Sequence, residues 1–219
     1  MLGTSTLQYL FRIYWRFTLG ICDTLFELNL DPGVNGMAER FKSLNQKHIT
    51  FIQQQHIYFV ATAAETGQVN LSPKGTDTLR VIDGHRVRWL NLTGSGNETA
   101  AHLLKSNRMT LMFCSFDRQP LILRIYGDAK TIHPADTEWP EAISGFEQTL
   151  GARQIFEVNI DIVQTSCGYA VPFYEYKSER DTLNKWTEKK GQAGIETYWQ
   201  TVNRESMDGF PTRIDENKT

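Results

Sequence analysis

Short apolar runs separated by turn residues dominate the first two thirds of the chain and predict strands. Residues 57–64 (IYFVATAA) read as a buried strand, and Glu65-Thr66-Gly67 as the hairpin turn behind it. The return strand, 68–72, stops at Pro73, which cannot donate to a ladder. A second hairpin joins 79–83 to 86–92 around Asp83-Gly84. In Arg86-Val87-Arg88-Trp89-Leu90 polar and apolar residues alternate, which predicts a half-exposed strand. Two long strands follow, 109–116 and 121–132, and a last one covers 154–165. Helical spacing appears at four places. Phe41, Leu44, Ile49 and Ile52 share a face of a helix over 41–55, broken once. Ala100, Leu103 and Leu104 share a face behind Asn97, a favoured N-cap type. A short helix lies near 137–144, and the tail from 179 to 206 reads as two helices around Gly191 and Gly194. Six or seven strands with few helices between them predict a mainly β fold, a small antiparallel barrel with peripheral helices and not a βαβ array.

The 219 residues, 40% hydrophobic and 22% charged, suit one domain with appendages. The expected organisation is an extension over 1–36, a barrel over 37–177 and a helical tail over 178–219. The extension is apolar from Leu7 to Leu19 but carries Arg12 and Arg16, which suits neither a membrane span nor a signal peptide. Either Met37 is the true start or the segment is an amphipathic arm. A net charge of −2 and no dominant Lys/Arg run argue against nucleic-acid binding. Cys22, Cys114 and Cys167 are far apart and odd in number, which predicts a reducing, cytoplasmic setting. The five histidines lack zinc-ligand spacing, so no metal site is expected.

The most informative segment is Gly94-Ser95-Gly96-Asn97-Glu98-Thr99, between a strand and a helix. Glycines admit a ligand close to the backbone, a helix start favours an anion, and Ser95, Asn97 and Thr99 add donors. The chemistry indicated is a phosphate cradle; a glycine-rich loop with a capped helix is the ligand-free alternative. The segment also imitates a dinucleotide fingerprint, but Thr99 stands where close packing wants glycine or alanine. A second segment, Asn70-Leu71-Ser72-Pro73-Lys74-Gly75, ends an early strand with a cation and two donors. Cys167 reads as a buried thiol, and His102 as a solvent-facing or capped side chain.

Together, "FVATAAETGQVNLSPKG", "WLNLTGSGNETAAHLLKSNRMTLMF" and "LILRIYGDAK" resemble the pyridoxamine-phosphate-oxidase-like FMN-binding proteins, in matching order over 41–176. The likeness is closer to a branch with SPKG and GSGNET motifs and a tail like Ser166-Cys167-Gly168-Tyr169 and Asn203 to Pro211 than to the oxidases proper. It implies a six-stranded antiparallel split barrel that works as a homodimer, with FMN in clefts between subunits. It implies that Asn70, Ser72 and Lys74 lie near the flavin, that Asn91 and Thr93 line its edge, and that Ser95, Asn97, Glu98 and Thr99 surround its phosphate. The expected activity is that of an oxidoreductase on an unassigned small molecule, with no catalytic residue named; a flavin-storing or flavin-sensing protein, or the same fold holding haem or a deazaflavin, are the alternatives. The oxidases carry a basic pair where this chain has Asn97, Glu98 and Thr99. The phosphate is therefore expected to rely on amides, hydroxyls and Arg80, Lys105 or Arg124. Residues 179–219 hold no counterpart of the oxidases' substrate-gripping Trp and Arg segment, so pyridoxamine phosphate is not the expected substrate.

Overall fold

The computed structural model describes residues 38–147 and 150–217, all within one compact unit, Gly36–Thr219. The expectations for residues 1–36 lie outside the described residues. The elements are β1 (Ala38–Phe41), α1 (Gln46–Gln53), β2 (Tyr58–Thr62), β3 (Asn70–Lys74), β4 (Leu79–Asp83), β5 (Arg86–Leu92), α2 (Glu98–Leu103), β6 (Arg108–Cys114), β7 (Leu121–Ile132), α3 (Trp139–Ile143), β8 (Ala152–Cys167) and α4 (Thr182–Val202), followed by a 3-10 helix, Ile214–Asn217. No described helix is long and apolar enough to cross a membrane.

The strands form one antiparallel, eight-stranded sheet in the order β3-β2-β6-β7-β8-β5-β4, with β1 added to β8. The six strands expected from the resemblance are therefore too few. β1 was not predicted and takes in Phe41, the first residue of the expected helix; its residues are mostly exposed and carry no apolar period. β8 is the spine. Its first half pairs with β5 and its second half with β1, while β7 runs along its whole length. A bulge between Tyr126 and Gly127 lets β7 follow β8. At Gly127 the chains approach so closely that a Cβ would lie 1.9 Å from the Asn159 carbonyl oxygen.

The path closes on itself without pairing. Tyr58 of β2 and Thr78, just before β4, share a side-chain hydrogen bond of 3.0 Å, which brings the two arms of the sheet together. This is a split barrel. Its interior is filled by Val60, Val87, Trp89, Leu111, Phe113, Leu123, Ile125, Phe156 and Val158, with Phe51 and Ile52 of α1 stoppering it. β5 departs from its predicted half-exposure: every residue from Val87 to Asn91 is buried. The reason is a second apolar cluster on the outer face, where Ala142 and Phe146 cover Leu90, Ile132 and Ile155. Arg88, caught under that cover, is neutralised by Glu157 at 2.6 Å and Glu141 at 3.0 Å.

The tail forms α4, interrupted at Gly191, whose φ of +64° ends one helical stretch and begins the next. Ile195 and Trp199 pack on Ile214 of the 3-10 helix, so the tail folds back on itself before it docks.

Candidate functional site

Where β3 at one margin of the sheet approaches β5 and the loop after it, a cleft of about 510 Å³ opens. That volume lies within the range of roughly 300–1,000 Å³ usual for small-ligand sites. Asn70, Ser72 and Lys74 occupy alternate positions of β3, so they share a face, and that face turns to the cleft. Asn91, Ser95, Asn97, Glu98 and Thr99 line the opposite wall. Eight of the nine sequence-predicted site residues are thus brought together. Thr93 is the exception. It is buried, donates to the Gly151 carbonyl at 2.7 Å and accepts from the Trp199 indole at 2.8 Å, so its hydroxyl docks the tail.

Three residues complete the cleft that the sequence reading missed: Arg153 and Met207 in its lining, and Asn203 behind it. Arg153 lies one residue before the predicted start of the last strand, in a run too apolar to leave an arginine unremarked. A lone basic residue entering a buried strand was the available signal, since buried cations require partners. Its guanidinium donates to the Gly96 carbonyl at 2.9 Å, to Asn203 Oδ1 at 2.9 Å and to Asn91 Oδ1 at 3.2 Å. All three acceptors are neutral. Burial pushes its pKa down to about 9, so it remains a cation at neutral pH.

Lys74 is the second cation. Its ammonium stands 5.0 Å over the buried Trp89 ring, which holds it by cation–π attraction. Desolvation, and then repulsion from Arg153, lower its pKa to about 8. Among the described residues neither cation has a carboxylate partner within salt-bridge distance. Glu98, the one acid in the lining, spends both carboxylate oxygens on the Met207 backbone N–H at 3.2 Å.

The neutral groups are oriented as well. Ser72 donates to Asn70 Oδ1 at 2.8 Å, which aims the Asn70 amide N–H groups at the Thr62 and Thr99 hydroxyls, each at 3.3 Å. Thr99 therefore accepts from Asn70 and keeps its own proton to donate. Asn97 caps α2 by position only. Its side-chain Oδ1 accepts from the Asn91 amide at 3.1 Å, and its Nδ2 is buried without a partner. Arg153 Nε and Gln154 Nε2 are likewise buried and unpartnered. Buried donors in this state are costly unless something accepts from them. Two cations without a carboxylate partner, a spare hydroxyl proton and the unpartnered Asn97 amide and Arg153 Nε give the cleft wall the donors that an anion requires.

The expected source of charge is corrected. Arg80 is held bidentate by Asp77 at 2.7 and 2.8 Å, Lys105 lies over Phe210, and Arg124 bonds Ser166 at 3.3 Å; none lines the cleft. The helix start brings no side-chain cation: α2 has six residues and no side-chain cap, so what its first turn offers the cleft is backbone N–H groups. His102 is not solvent-facing: it is buried behind the cleft, bonded to Thr62 at 3.1 Å. Cys167 is partly exposed at the far end of β8. Among the described residues no His, Cys, Asp or Glu cluster has the makings of a metal site. A second hollow of about 460 Å³, between Tyr58, Phe113 and Leu79, offers no unpartnered buried donor, since Tyr58 is bonded to Thr78 and Arg80 to Asp77.

A family model described as pyridoxamine 5'-phosphate oxidase matches residues 44–167. The pyridoxamine 5'-phosphate oxidase family protein ustO of Aspergillus flavus is 31% identical over 189 residues, 78% of this chain and 76% of the relative. Among solved structures, HupZ of Group A Streptococcus is similar at 20% identity and a TM-score of 0.44, over 54% of this chain and 91% of its own. An FAD-binding protein of Mesorhizobium loti is similar at 12% identity and a TM-score of 0.41, over 59% and 98%.

Proposed function

The chain belongs to the pyridoxamine 5'-phosphate oxidase family, and from that premise we propose that its cleft binds FMN for an oxidoreductase reaction on a small molecule. The observation that carries the reading is the pair of unneutralised cations, Lys74 and Arg153, facing one cleft with no acid spent on either. A phosphate monoester is a dianion above pH ~6, so it matches two cations, the Thr99 hydroxyl and the unpartnered Asn97 amide. When bound, the flavin supplies hydride or single-electron transfer. This chain's residues bind and orient it. Lys74 and Arg153 hold the phosphate, Asn70 fixes Thr99 as a donor, and Asn91 and Ser72 present polar groups along the walls. Lys74 Nζ is the cleft group able to hold or yield a proton near neutral pH.

The working unit in this reading is a homodimer. The cleft borders the sheet-margin strand β3, where Leu71 is 64% exposed and Val69, just before the strand, is 72% exposed. Apolar side chains on the face of this margin opposite the cleft call for a cover, and a second copy wrapping the margin would supply it along with the outer wall of the cleft. Pyridoxamine phosphate is not the proposed substrate. The tail arginines Arg204 and Arg213 are paired with Asp215 and Glu216 and do not line the cleft.

The test is the visible spectrum of the purified full chain, with the released ligand identified by mass, followed by Lys74→Met and Arg153→Met. The expected result is flavin absorbance from FMN, with FMN affinity reduced about 10- to 100-fold in each variant, as for loss of a charge-assisted hydrogen bond. A colourless wild-type chain that takes up neither FMN nor riboflavin would sink the proposal. Reoxidation of the bound reduced flavin by an added acceptor separates an oxidoreductase from a storage protein.

A further inference from the structure

Arg153 is held in an unusual way for a buried cation. Its terminal nitrogens meet three neutral oxygens, from Gly96, Asn203 and Asn91, and its Nε meets none. Aspartate at either asparagine position would neutralise the guanidinium at nearly the same geometry; an amide orients it and leaves its charge intact. Asn203 is the more telling of the two because it comes from the tail, beyond the 44–167 region that the family model matches. It is fully buried at the end of α4. Its Oδ1 accepts from Arg153 at 2.9 Å, its Nδ2 donates to the Gly94 carbonyl at 3.0 Å, and its own carbonyl accepts from Thr212 at 2.5 Å. One side chain therefore ties the cation to the glycine loop. Trp199, one turn earlier, fastens the same loop through Thr93.

We propose that Asn203 is the positioning residue of the anion site, a neutral clamp that aims Arg153 at the ligand's phosphate and leaves its charge uncompensated, so that the C-terminal segment decides phosphate recognition. The proposal rests on the flavin reading for the identity of the ligand. It predicts a selective effect: the phosphate end of the ligand feels Asn203 and the ring end does not.

The experiment titrates the full chain with FMN and with riboflavin, which lacks the phosphate, by flavin fluorescence. It compares wild type, Asn203→Asp and Asn203→Ser. Wild type is expected to prefer FMN. Asn203→Asp, which pairs with Arg153, is expected to weaken FMN by about 10- to 100-fold, hold riboflavin binding, and flatten the salt dependence of FMN affinity. Asn203→Ser keeps the charge but loosens the clamp, so its loss is smaller and its salt dependence persists. An unchanged FMN-to-riboflavin ratio in Asn203→Asp, or equal loss of both ligands in both variants, overturns the assignment. If wild type takes neither flavin, the flavin reading falls by itself. The clamp is then judged with inorganic phosphate, which should raise the melting temperature of wild type and not of Asn203→Asp; equal shifts in both overturn it.

Discussion

Lys74 works against the ligand-free protein and for the bound one. Its folded-state pKa of about 8 lies below its ordinary 10.5, so the folded state binds fewer protons than the unfolded state between those values. The cost of burying its charge is therefore fully present below pH 8 and fades as pH rises toward 10.5. Ligand-free stability should climb across that window, measured by urea unfolding at fixed ionic strength. Anion affinity should move the other way, falling as pH passes 8, because the phosphate needs the ammonium protonated. Lys74→Met separates the two: the melting temperature at pH 7 rises without ligand, while FMN affinity falls and its alkaline decline moves from about 8 toward the Arg153 value of about 9. A pH-independent affinity in the wild type would remove Lys74 from the phosphate end. The SPKG stretch named this lysine in the sequence. Arg153 could not be named in the same way, since nothing beside it in the chain says that its neighbours in space are Gly96, Asn91 and Asn203.

Among the elements, the strands were recovered best where alternation or apolar runs met clear turns, as in β4, β5 and β7. β1 was lost because its pairing with β8 is backbone-made and leaves Ala38, Glu39 and Arg40 exposed. β3 runs through Pro73 to Lys74, two residues further than predicted, because a sheet-margin strand has an unpaired side where the missing N–H costs nothing. The bulge at Gly127 yields a test of element geometry. Gly127→Ala would force a Cβ into the Asn159 carbonyl at 1.9 Å, so β7 and β8 must part. A loss of about 3 kcal/mol is expected by urea unfolding, with FMN affinity of the folded fraction unchanged. A neutral Gly127→Ala would mean that the bulge relaxes freely. α2 teaches the opposite lesson. Its glycine-rich entry lines the cleft, yet the side-chain cations beside it come from strands β3 and β8, which that motif does not name.

At the scale of the whole molecule, the cleft exists because the two arms of an eight-stranded sheet approach without pairing, and because the tail returns to lock the loop between them. The exposed Val69 and Leu71 beside it predict the assembly: sedimentation equilibrium should give a dimer, and Leu71→Glu should give a folded monomer with weakened FMN binding. A wild-type monomer that binds FMN tightly would leave the outer wall to this chain alone. By itself, the sequence determined the mainly β architecture, the two motifs that form facing walls and the family, because these depend on alternation, turn chemistry and contiguous residues. Tertiary structure decided the rest. Whether a hydroxyl faces the cleft, as at Thr99, or a docking helix, as at Thr93, depends on what the chain brings back from over a hundred residues away. Whether Arg153 is neutralised or left charged depends on an asparagine 50 residues downstream, a relation that no local pattern encodes.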